Sequence, residues 1–218
     1  MDIWGMWLEA IRALVTALAA EAGLGVGLAV IVATVLLRSI VLPLAWPIAY
    51  RACIRQKKLA KIQPELRALQ GKFRDQPDVY LRKLAELHKA HEIAMIDTKS
   101  FLGALAQLPL FFGMFQALRT IGDGARFLWI PNLLRPDIAL AIIAGLATAL
   151  MMAMNPDLPE QIRVFMIVVP AILAIVAALQ FSSALALYWA TSNTFSAIQT
   201  VVLHAIVRRR IDAGLVRI

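Results

Sequence analysis

Arg38 is the side chain whose surroundings least match its chemistry. It stands alone in AVIVATVLLRSIVLPL, residues 29–44, a run otherwise suited to hydrocarbon. A guanidinium cannot lose its proton to escape burial, and at mid-membrane it costs about 2.5 to 3.5 kcal/mol on the insertion scale. Snorkelling to a headgroup is the alternative, but Ser39 to Tyr50 adds twelve uncharged residues before Arg51. Ionisable groups kept at such depth face a watery cavity or a partner.

A second polar set lies near the other end. In ALYWATSNTFSAIQT, residues 186–200, Trp189, Asn193, Ser196 and Thr200 fall on one helical stripe, and Tyr188, Ser192 and Gln199 on the neighbouring one. Lipid tolerates neither stripe well, and so many polar groups in one span point to water or a polar guest. Thr34 lies one turn from Arg38 on the same face, and Gln107 sits beside Pro109 in LAQLPLFFGMF. Pro43, Pro109 and Pro170 each withhold a backbone donor, so each is expected to kink its helix; Pro43 should free the carbonyl of Ser39, and Pro47 should end the first span.

Other chemistries find little support. Cys53 is the single cysteine, which rules out an intrachain disulfide and a thiolate metal cage. His88 and His91 are spaced to share a helix face, but only Glu92 accompanies them, too little for a metal site, and His204 is expected at the membrane edge. HExxH and GxSxG are both missing, so neither an enzyme nor a cofactor is expected.

The elements that must position these groups follow from composition. With 218 residues, 61% of them hydrophobic, and mean hydropathy +0.74, the chain is too apolar for a soluble domain. The expected fold is all-α and polytopic, with five transmembrane helices. An amphipathic helix over residues 1–22, bearing Trp4 and Trp7, lies on the outer leaflet. The first span covers 23–49, and 50–98 forms a cytoplasmic helical hairpin with helix starts at Pro64 and Pro77. Residues 99–207 hold four spans, near 100–119, 138–155, 163–181 and 184–207, the last two split by a tight turn at Gln180, Ser182 and Ser183. A short basic tail, 208–218, closes the chain. Seventeen of the 22 Lys and Arg residues fall in 51–99, 154–163 and 208–218, which predicts the N-terminus outside and the C-terminus in the cytoplasm. No cleaved signal peptide is expected, because Asp2 and Glu9 occupy a region that would need positive charge.

From about residue 24 to 207 the order of features resembles the YidC/Oxa/Alb family of membrane protein insertases, in a short form without the large periplasmic domain. TVLLRSIVLPL, KLAKIQPELRALQGKF, LAQLPLFFGMFQALR and ALYWATSNTFSAIQ carry the resemblance. Arg38 matches the family's arginine, Gln107-Leu108-Pro109 its glutamine-x-proline, and Tyr188-Trp189 with Ser192-Asn193 its final-span signature. The resemblance implies a hydrophilic groove, open to the cytoplasm and to lipid, with the arginine at its centre. Thr34, Gln107, Tyr188, Trp189, Ser192, Asn193 and Gln199 would line it. It also implies a chaperone-like role in protein transport at the bacterial cytoplasmic (inner) membrane, with nascent membrane proteins and the lipid bilayer as partners. The hairpin 50–98 would offer contacts to a ribosome, a signal-recognition-particle receptor or the Sec translocon, and one chain would form a monomeric functional unit.

The sequence departs from the family at AHEIAMIDTKSFLG, where an Asn-Pro and glycine-rich entry to the second span is common, and its tail VRRRIDAGLVRI is short. A small channel or transporter is the rival reading, since polar residues also line ion pathways. Against it stands the expected absence of any intramembrane Asp or Glu relay.

Overall fold

The architecture comes from a computed structural model, which describes residues 2–91, 93, 105, 108–121 and 123–216. It is helical, with no strand among the described residues beyond an isolated bridge at Phe127 and Ile130. Helix α1 spans Ile3–Ala20, α2 Gly25–Lys72, α3 Pro77–Ala90, α4 Leu108–Leu118, α5 Ile138–Ala153, α6 Arg163–Ala178 and α7 Ser183–Asp212. The chain is a polytopic helical membrane protein. Ile3–Ala20, Gly25–Lys72 and Glu160–Ala178 are long and apolar enough to cross a bilayer, and α4 and α5 are apolar but shorter. A short turn over residues 179–182 separates α6 from α7.

Two compact units divide the chain. One comprises Met1–Pro43 and Leu105–Val201, the other Leu44–Ala104 and Val202–Ile218. The boundary inside α2 therefore falls at Pro43. Pro47 does not end the helix and Pro64 does not start one, contrary to the sequence expectation: α2 is continuous over 48 residues. A proline removes one hydrogen bond but keeps a helical φ, so the surrounding turns can carry the helix through it. Pro77 does sit at the start of α3.

In the first unit, Asp2 caps α1, its carboxylate accepting from Gly5 N at 2.8 Å. Gly23 and Gly25, at φ 65° and 69°, then reverse the chain into α2, a conformation that carries a steric penalty for any residue with a Cβ. Trp4 and Trp7, expected as interfacial anchors, tie α1 to α4: Trp7 Nε1 donates to Pro109 O at 3.2 Å and Trp4 Nε1 to Gln116 Oε1 at 3.3 Å. Small residues line the buried helix faces, among them Ala29, Ala33, Ala141, Ala144, Ala184 and Ala186. Lipid provides no hydrophobic force between helices, so close approach of backbones and van der Waals contact must hold them.

The segment between α4 and α5 also supplies acceptors. Leu133 O takes the N–H of Ala184, and Arg135 O takes both the N–H and the hydroxyl of Ser183. Two donors that the start of α7 would otherwise leave open are thereby satisfied.

In the second unit, Cys53, Leu203 and Val207 form a small buried cluster edged by Trp46, Tyr50 and Ile211. Arg210 stacks on Tyr50, 5.2 Å from the ring centroid, and donates to its hydroxyl at 3.3 Å. His88 Nδ1 donates to Leu84 O at 2.9 Å, and His91 lies 3.8 Å from Glu65, so the two histidines serve separate contacts.

A Cβ on Gly27 would run into the Phe127 ring, whereas Gly71, inside α2, has nothing within 4 Å. Gly27→Val should therefore overpack at a cost of about 1–3 kcal/mol, while Gly71→Ala should gain about 0.5–1 kcal/mol by restricting the unfolded chain. Thermal melts of the detergent-solubilised protein, followed by circular dichroism, should move in opposite directions.

Candidate functional site

The site begins with a pairing of α2 and α7. Arg38, half-buried, donates from Nη1 to Ser196 Oγ at 3.2 Å and from Nη2 to Ser192 Oγ. The two serines are four residues apart, so they stand on one face of α7, one above the other, and match the fork of the guanidinium. Both acceptors are neutral, and none of the described carboxylates lies within salt-bridge distance of Arg38. Its Nε is buried without a hydrogen-bond partner. The cluster thus has more donors than acceptors and keeps its full positive charge, which suits an oxygen-rich or anionic group.

Thr34 is 1% exposed, and its hydroxyl donates to Val30 O at 2.6 Å, turned back onto its own helix. It adds shape next to Arg38 rather than a free donor. Tyr188 is 3% exposed and, with Trp189, packs on Phe111 of α4, with centroid separations of 6.3 and 6.1 Å. Phe111 continues to Phe115 at 6.4 Å, and Phe115 meets Phe181 edge-on at 5.5 Å. Aromatic packing therefore holds α7 against α4 one turn before the serine pair.

The remaining predicted site residues are dispersed. Asn193 Nδ2 donates to Thr148 Oγ1 at 2.7 Å, and Thr148 in turn donates to Ala144 O, so Asn193 bonds to α5 rather than to the arginine. Gln199 is half-buried one turn beyond Ser196 and makes no hydrogen bond to Arg38 among the described residues. Gln107 lies outside the described residues. Pro170 is interior to α6 and Pro43 to α2, while Pro109 sits in the first described turn of α4, where its carbonyl receives Trp7. Ser196 is the partner that the sequence assigned to a polar stripe but not to the site; its signal was its four-residue spacing from Ser192.

Residues 18–210 match the family model of the 60Kd inner membrane protein. The membrane protein insertase YidC of Oceanobacillus iheyensis is 28% identical over 217 residues, covering 93% of this chain and 84% of the relative. Membrane protein insertase YidC 2 of Staphylococcus epidermidis is 30% identical over 191 residues, 80% of this chain and 65% of its own length. The YidC of Geobacter sp. (strain M21) is 27% identical over 183 residues, 82% of this chain but 33% of the relative. The chain thus spans about a third of the Geobacter protein and most of the Oceanobacillus one.

The Asn193–Thr148 bond can be measured by a double-mutant cycle. Interhelix hydrogen bonds in membranes average about 0.6 kcal/mol, with a maximum near 1.7. Asn193→Ala should lower unfolding stability in mixed micelles by about that amount, with no further loss in a Thr148→Val background. Losses that simply add would show that the two side chains act independently.

Proposed function

This chain belongs to the 60Kd inner membrane protein family, the family of YidC and Oxa1, and on that premise we propose that it is a membrane protein insertase. It takes hydrophobic segments of nascent proteins from the cytoplasm into the bilayer, and breaks no covalent bond in doing so. The observation that carries this reading is Arg38, a permanent cation within an apolar helix, held by two neutral serine hydroxyls and with a buried Nε–H to spare.

A polar or acidic segment flanking the substrate's hydrophobic stretch enters a hydrophilic groove centred on Arg38. There the guanidinium offers charge-assisted hydrogen bonds, which partly offset the desolvation of an anionic group moving out of water. Ser192 and Ser196 aim the guanidinium, Thr34, Tyr188 and Trp189 border the groove, and Gln107, Asn193 and Gln199 extend it. The helices that contain Pro43, Pro109 and Pro170 bend there to leave it room. The hydrophobic segment then leaves along the first and last spans into lipid.

The topology that fits this route has five spans, the N-terminus outside and the C-terminus in the cytoplasm, as the distribution of basic residues favours. The basic segment 50–98 is then the surface that meets a ribosome, a signal-recognition-particle receptor or the Sec translocon.

Insertion into proteoliposomes of a single-span substrate with an acidic tail tests the mechanism. A hydrogen bond to a charged group contributes about 1.5–3 kcal/mol, so Arg38→Ala should reduce insertion roughly ten- to hundredfold. Arg38→Lys should retain most of it, and a neutral-tailed substrate should be nearly indifferent to either change. Equal insertion of every substrate by every variant would overturn the charge mechanism.

A further inference from the structure

On the side of α7 away from the arginine lies a cavity of about 520 Å³, formed by α2, α5, α7 and the turn 127–130. We propose that it holds an acyl chain of a membrane phospholipid. The inference rests on the chain's being embedded in a bilayer and does not depend on insertase activity.

Three observations select this occupant. First, the lining is hydrocarbon-like. Ile31, Ile143, Ala190 and Ile198 face it, and its two hydroxyl residues have spent their donors internally, Thr191 on Leu187 O and Thr194 on Ala190 O, both at 2.8 Å. Nothing on its wall demands water or a polar guest.

Second, the size, about 520 Å³, suits a chain. The same space is about seventeen times the ~30 Å³ share of one water molecule, and a methylene group is of similar size, enough for much of one acyl chain.

Third, the mouth continues into surface that lipid covers. Val35, Ile143 and Ile198 are exposed along it, as are Leu128 at 75% and Trp129 at 51%. The rim is held in an unusual shape. Leu128 has φ 51°, a left-handed conformation that is costly for a bulky side chain, and Phe127 and Ile130 clamp the turn with two backbone bonds of 3.0 and 2.8 Å. Trp129 donates to Asp137 at 3.1 Å, so its ring is fixed with a polar edge tied down and an apolar face at the opening. That is the arrangement of a side chain at the boundary between headgroup and hydrocarbon.

The test uses the full chain in vesicles of phosphatidylethanolamine and phosphatidylglycerol that contain a phospholipid with a diazirine in one acyl chain. After irradiation, adducts are mapped by mass spectrometry of peptides. Label should concentrate on the lining positions of α5 and α7, and Thr194→Trp, at an exposed helix position, should reduce it at least fivefold. Leu146→Trp, on exposed α5 surface outside the cavity, should leave it unchanged, and Ile143→Phe provides a second filled cavity should the first variant fold poorly. Even labelling of all exposed apolar positions, or labelling unaffected by filling, would overturn the proposal. So would selective loss of lining label on adding a hydrophobic peptide, which would make the cavity a peptide site.

Discussion

The arrangement of the first unit depends on one unfavourable circumstance, a guanidinium that must stay charged among apolar side chains. Arg38 cannot neutralise itself as a buried lysine or carboxylate would. It has to be hydrogen-bonded where it stands, and the groups that do this, Ser192 and Ser196, belong to a helix more than 150 residues away in sequence. The pairing of α2 with α7 is thus specified by polar chemistry, not by apolar contact alone. Two neutral acceptors satisfy part of the fork without cancelling its charge, which leaves a cation available to a guest.

Around that pairing the structure relies on close approach. Alanines on α2, α5 and α7 let backbones come together, and Gly27 leaves room for the Phe127 ring. Because lipid is as apolar as leucine, this fit, and not burial from water, is what distinguishes the assembled helices from separated ones. The aromatic chain from Tyr188 and Trp189 through Phe111 and Phe115 to Phe181 adds directional contacts on the same side of α7. This packing fixes α7 one turn before the serine pair.

The polar residues of α7 show how one helix serves several neighbours. Ser192 and Ser196 take Arg38, Asn193 takes Thr148 of α5, and Thr191, Thr194 and Thr200 bond their own preceding turn. A helix turns 100° per residue, so residues 192 and 193 meet different partners although they are adjacent. A stripe drawn from spacing groups Trp189, Asn193 and Ser196 together, yet at successive heights that stripe passes an aromatic ring, a threonine and an arginine.

Local sequence was sufficient for the class of fold, its apolar character and the singularity of Arg38. Each of these rests on composition: hydrocarbon needs long apolar helices, and an isolated charge in such a helix is visible without any neighbour. The partners of Arg38, the diversion of Asn193 to Thr148, the continuity of α2 through Pro47 and Pro64, and the cavity behind α7 were decided only by tertiary structure. These depend on which helix faces which and at what height, and spacing along one helix cannot encode the identity of its neighbour. The prolines make the same point: their local cost was legible, but whether surrounding contacts would offset it was not.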